Sequence, residues 1–209
     1  MNVPFVPTGK LPASRGKRAF IKAQNRRVIL DAARHVFSEL GYDQATVRDI
    51  VRATSLASGT FYNYFKSKES VFEALRDETA ATLRPQLREQ RRQAETGEAF
   101  VEGTFRTFFH YLAANRTDFD AILRNDVLPA RVSAWEIIAG FEELHADIEN
   151  AIKRGLLPRV DAVLLTAAIV GIAFQMAESM HRHDGPDVEA ATRFATALIL
   201  GGTANLTSN

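Results

Sequence analysis

Between Thr46 and Lys68 the chain gathers hydroxyls, phenols, an amide, an arginine and a lysine, the donors that hydrogen-bond to phosphates and base edges. Ser58, Gly59 and Thr60 make a small, hydroxyl-bearing tip able to approach a base edge or the thymine methyl, and the Asn63 amide suits adenine if it faces outward. Each residue has a structural use as well. Thr46 and Ser67 can cap helices, Arg48 can pair with Asp49 or Asp43, and Tyr62 and Tyr64 can be half-buried aromatics.

Enzymatic chemistry finds less support. There is no Gly-x-Ser-x-Gly elbow, no Gly-Lys-Ser phosphate loop and no His-Glu-x-x-His pairing. The chain has 0 cysteines, which removes disulfide scaffolds, Cys-ligated zinc and thiol nucleophiles. His181 and His183 beside Asp184 fall on different faces of a helix end, so a surface cluster is expected rather than a metal site, and no cofactor is expected.

Charge separates the chain into two parts. The overall net charge of +1 hides a strongly basic stretch 1–68 and a mildly acidic stretch 69–209, so one end alone should face a polyanion. A hydrophobic share of 46% with 24% charged residues is that of a globular protein.

The elements that hold these groups are helical. Residues 1–20, with Pro4, Pro7 and Pro12 among basic residues, read as a flexible basic arm. A helix follows from Ile21 to Leu40, with Gly41 as its stop. Thr46 caps a second, with Asp49 in the capping-box position, and a third spans 58–64 with Phe61 and Phe65 turned inward. Ser67 caps a fourth, which Pro85 should kink or interrupt before the charged run 84–95. Further helices are expected at about 98–114, 117–127, 131–154, 160–182 and 187–205. The fold class is all-α, about nine helices: an N-terminal tri-helical helix-turn-helix domain (21–68) and a C-terminal helical bundle (69–209).

The stretch from Arg27 to Leu75 resembles the DNA-binding domain of TetR-type transcriptional regulators. The likeness is carried above all by Thr46-Val-Arg-Asp-Ile-Val and by Ser58-Gly-Thr-Phe-Tyr-Asn-Tyr-Phe-Lys-Ser-Lys-Glu. The resemblance implies that helix three enters the major groove and that Arg48 reads a guanine. It also implies that Thr46, Tyr62, Tyr64 and Lys68 contact phosphates. It further implies a homodimer on a palindromic operator in double-stranded DNA, most often a ligand-responsive repressor.

The remaining chain is read from its own residues. The uncharged stretch 162–177 is apolar nearly all round, too short at sixteen residues to cross a bilayer, and rich in small residues that allow close helix approach. Helices 160–182 and 187–205 are therefore the expected dimer face. Phe105, Phe109, Trp135, Phe141 and Phe174 are candidates to line a pocket for a small apolar or aromatic inducer. His110, His145, Gln175 and Glu178 would orient it. No membrane span or signal peptide is read, so the cytoplasm is the expected location. Helix four is the expected mechanical link between the two parts. A ligand-independent adaptor or nucleoid-associated protein, and an α-helical enzyme, are the alternatives.

Overall fold

The computed structural model describes residues 13–123, 138, 140–182 and 187–206. Helix α1 (Ala13–Leu40) takes in 13–20, which were expected to be a flexible arm. Pro12 is the last proline before Gly41, so nothing in the backbone chemistry after it opposes a helix. Residues 16–24 of α1 are nonetheless exposed on all sides; Phe20 is 70% exposed. From Ile29 onward α1 is buried, through Leu30, Ala33 and Phe37, and Gly41 ends it at φ 77°, a backbone region that glycine enters without a Cβ penalty.

Three short steps complete the N-terminal domain: α2 (Val47–Arg52), α3 (Ser58–Tyr62) and the start of α4 (Lys68–Gln93). Helix α3 ends two residues earlier than expected, so Tyr64 follows it. Ile50, Phe61, Phe65, Val71 and Phe72 join the α1 residues in one core. Glu78 of α4 accepts from both Arg26 (2.9 Å) and Arg34 (2.7 Å), strapping α4 along α1.

Helix α4 is continuous past Pro85, against the expected interruption. The proline side chain is exposed, while Leu83 and Leu87 on either side are buried, so tertiary packing offsets the lost backbone donor. The charged run 84–95 is likewise helical to Gln93. The bundle then comprises α5 (Gly97–Ala114), α6 (Arg116–Leu123), α7 (Phe141–Lys153), α8 (Ala162–Arg182) and α9 (Val188–Leu206). The helix expected over 131–154 does not run through: Gly140, at φ 64°, breaks it just before Phe141. An added Cβ there would lie 3.0 Å from Nε of Arg84. Among the described residues no strand occurs.

Helix α5 is the central strut, packed against α4, α8 and α9, and α6 lies against α1 of the N-terminal domain. Two elements, α4 and α6, therefore join the C-terminal bundle to the N-terminal helices.

Candidate functional site

Helix α2 owes its position to its cap. The Thr46 hydroxyl accepts from the Asp49 amide (3.3 Å), and the Asp49 carboxylate accepts from the Thr46 amide (3.0 Å) and hydroxyl (2.5 Å). These bonds hold the Asp49 carboxyl below its usual range, the Thr46 hydroxyl being the largest cause. Asp49 is therefore a capping group, and Arg48 stands exposed beside it.

On α3, Phe61 is fully buried while Ser58, Gly59, Tyr62 and Asn63 face solvent and Thr60 is half-buried. The Tyr62 ring stands edge-on against Phe61 at 5.4 Å but remains 59% exposed, an unusual exposure for an aromatic with only a structural use. Nothing lies within 4 Å of a Cβ built on Gly59, so the fold itself does not require a glycine there. Thr46, Arg48, Ser58, Gly59, Tyr62 and Asn63 are thus the exposed residues of the expected set. Tyr64 is half-buried against the core.

Lys68 differs from its expected role as a phosphate contact. Its Nζ donates to the carbonyls of Tyr42 (2.9 Å), Asp43 (3.1 Å) and Ala45 (3.1 Å) and lies 4.6 Å from the Tyr42 ring centroid. Three donors meet three acceptors, so the ammonium locks the α1–α2 turn. Tyr42 in turn donates to Glu69 at 3.2 Å, and burial together with that carboxylate raises the phenol well above its usual range.

The C-terminal bundle sorts the expected pocket residues differently. Phe105 and Phe109 stack at 5.8 Å and 18°, both fully buried. Phe105 and Phe174 line a small cavity, Phe109 is fully buried in the core and Phe141 packs against it. Trp135 lies outside the described residues, as do His183 and Asp184. Of the expected orienting groups, His110 is exposed and pairs with Glu189 (3.2 Å), and Gln175 is exposed. Both face outward because they sit opposite the buried stripes of their helices. His145 is half-buried, with Nδ1 unpartnered and Nε2 3.9 Å from Glu149; Glu178 is half-buried too. His181 pairs with Asp120 of α6.

Among the described residues, two spaces between the bundle helices bear on this set. One, of about 20 Å³, lies between α4, α5, α7 and α8 and is lined by Arg91, Thr104, Phe105, Phe108 and Phe174 with Leu87, Leu144, Ile169 and Ala173. The other, of about 140 Å³, is nearer the end of the bundle and is lined by Leu112, Ala113, Arg116, Phe119, Ala177, Met180 and His181. Arg91 was not foreseen, having been read as part of a solvated charged run. The signal was present: Leu75, Thr79, Leu83 and Leu87 form a buried i, i+4 stripe, and Arg91 is its next member.

An apolar face covers α8 and α9, where Val163, Leu164, Phe194, Leu198 and Leu206 are more than half exposed. The expectation that 162–177 is too short for a membrane is corrected by the length of α8: 162–181 is long and apolar enough to span one by length and composition. Only 33% of that window is buried within the chain.

Comparison with known proteins matches a family model described as "Bacterial regulatory proteins, tetR family" to residues 29–75. An uncharacterised HTH-type transcriptional regulator from Haemophilus influenzae is 27% identical over 110 residues, 52% of this chain and 54% of that protein. The chain thus matches about half the length of that relative. The fatty acid degradation regulator FadR from Bacillus halodurans is 26% identical, covering 85% of this chain and 95% of its own, with TM-score 0.75. FadR from Bacillus subtilis, solved in complex with stearoyl-CoA, is 23% identical over 84% of this chain and 98% of its own, with TM-score 0.72, a likeness of fold.

Proposed function

The chain belongs to the TetR family of bacterial regulatory proteins, and from that premise we propose that it is a ligand-responsive transcriptional repressor that binds a palindromic operator as a homodimer in the cytoplasm. The observation that carries the reading is the division of α2 and α3 into two faces. Ile50 and Phe61 anchor them in the core, leaving Arg48, Ser58, Gly59, Tyr62 and Asn63 on one exposed surface. Arg48 has the fork to pair with guanine, the α3 tip is small enough to enter a groove, and Thr46 and Tyr62 have hydroxyls for phosphates. Exposed Lys17, Arg18 and Lys22 on the first turns of α1 add attraction to the DNA backbone.

Two half-sites need two copies of α3, and the exposed apolar face of α8 and α9 supports a second copy of this chain as its cover. A four-helix arrangement of α8 and α9 from two protomers would bury the surface that passes the membrane-span criterion. Ligand occupancy of the sensor part would alter the set of α4, and of α6 against α1, and so the spacing of the two α3 helices.

The test is selection of bound fragments from random DNA with the purified protein. An inverted repeat with fixed half-site spacing is the expected outcome. Recovery of fragments with no shared sequence would favour the DNA-organising adaptor instead.

A further inference from the structure

Arg91 is the only charged side chain in the core among the described residues. Its side chain is 2% exposed, and Nε donates to Asp147 Oδ2 at 2.7 Å. Nη1 is buried without a hydrogen-bond partner. Leaving a charged donor buried and unsatisfied is costly, so a native core that keeps one invites an acceptor. The surroundings carry a matching surplus: Arg84 and Arg88 share Glu143, and Arg91 takes Asp147, so three cations face two acids across α4 and α7.

Arg91 lines the smaller cavity, whose 20 Å³ holds little more than a water molecule. The larger cavity begins one turn further along. Phe108 stands between them, edge-on to Phe174 at 5.7 Å and to Phe119 at 6.4 Å. Rotation of Phe108 would join the two spaces. Along α8 the joined channel would run from Ile169 to His181, about 18 Å at 1.5 Å per residue. Its walls would be mostly apolar, with Met180 adaptable in shape; Arg91 stands at the inner end, and Arg116 and His181 at the outer one.

We propose that these two cavities are the closed form of a binding site for an aliphatic carboxylate, with the head group on Arg91 and the alkyl chain extending toward Met180. The assignment rests on the ligand-responsive reading above and names its ligand class. A channel charged at its deep end selects a free acid: an alcohol of the same length offers no charge to Arg91, and a coenzyme A thioester entering tail first would set a methyl group against a buried cation. Because Arg91 also holds α7 through Asp147, a bound carboxylate acts on the α4–α7 contact directly.

The experiment uses the full chain without DNA and measures affinity and thermal shift with dodecanoate, dodecanol and dodecanoyl-coenzyme A. Dodecanoate should bind at least tenfold more tightly than either dodecanol, which has no charge, or the thioester, whose charges sit on a head group too large for the inner end. Arg91→Gln should abolish that preference while leaving dodecanol affinity within about twofold, and Arg91→Lys should retain part of it. Equal affinity of acid and alcohol for the wild type, no binding by saturated acids of six to fourteen carbons, or a Gln variant that keeps the preference would each overturn the assignment. Should Arg91→Gln fail to fold, Ala177→Leu leaves the charges untouched and fills the larger cavity. It should weaken dodecanoate at least tenfold, and unchanged binding would reject the channel. In a separate titration of the selected operator, dodecanoate that binds the chain but leaves operator affinity unchanged would support the site and overturn the regulatory reading instead.

Discussion

At the scale of single residues, Gly59 separates stability from recognition. Its Cβ position is open, so Gly59→Ala should hold or raise the melting temperature, helix propensity favouring alanine by about 1 kcal/mol. The same methyl group, placed on the tip of α3, should lower operator affinity in a fluorescence anisotropy titration. Lys68 makes the opposite case. Lys68→Met removes the donor shared by three carbonyls and should cost on the order of 1–3 kcal/mol of stability in chemical denaturation. The salt dependence of DNA binding should keep its wild-type slope; a slope smaller by about one unit would restore the phosphate contact that the resemblance implies. Asp49 adds a pH dependence. Its folded pKa is depressed, first by the Thr46 hydroxyl, so the cap's contribution is present above the ordinary carboxylate range and is lost as pH falls through the depressed value. Protection factors of the α2 amides, which correct for the slower intrinsic exchange at low pH, should therefore fall in acid, and Thr46→Val should remove most of that acid response. The caps at Thr46 and Ser67 were legible because partner and cap are three residues apart. The inward turn of Lys68 and the Asp147 partner of Arg91, 56 residues away, were not, because contacts across the chain leave no local pattern.

At the scale of elements, α4 overrides a local signal. Proline removes a donor and crowds the preceding turn, yet Leu83 and Leu87 are buried and Arg84 is tied to Glu143 on α7. Pro85→Ala should accordingly raise stability, by about 1–3 kcal/mol, and a lower melting temperature would mean that the ring itself packs usefully. Most helices were readable from apolar spacing and caps. The α7 start was not, since a glycine inside a helical pattern is locally tolerable and nothing in the neighbouring sequence marks Gly140 for its left-handed conformation. The early start of α1 was missed because charge and glycine content resemble those of a flexible arm.

At the scale of the whole molecule, the apolar face of α8 and α9 was legible as an excess that one chain does not bury. Leu164 is 68% exposed in the single chain, so Leu164→Glu should leave the monomer folded. Sedimentation should then find monomers, and affinity for a two-half-site operator should fall far more than affinity for a single half-site. A dimer that persists would move the interface elsewhere. Finally, α4 belongs to both parts of the molecule: Lys68 closes the DNA-facing turn and Arg91 sits in the sensor core, on one helix about 39 Å long at 1.5 Å per residue. No splice point between the two parts avoids this helix, so chimeric regulators made from this chain are phase-locked. One residue inserted at exposed Ala81 would turn Arg91 about 100° relative to Lys68, whereas seven would restore the phase between the two ends and merely lengthen the rod.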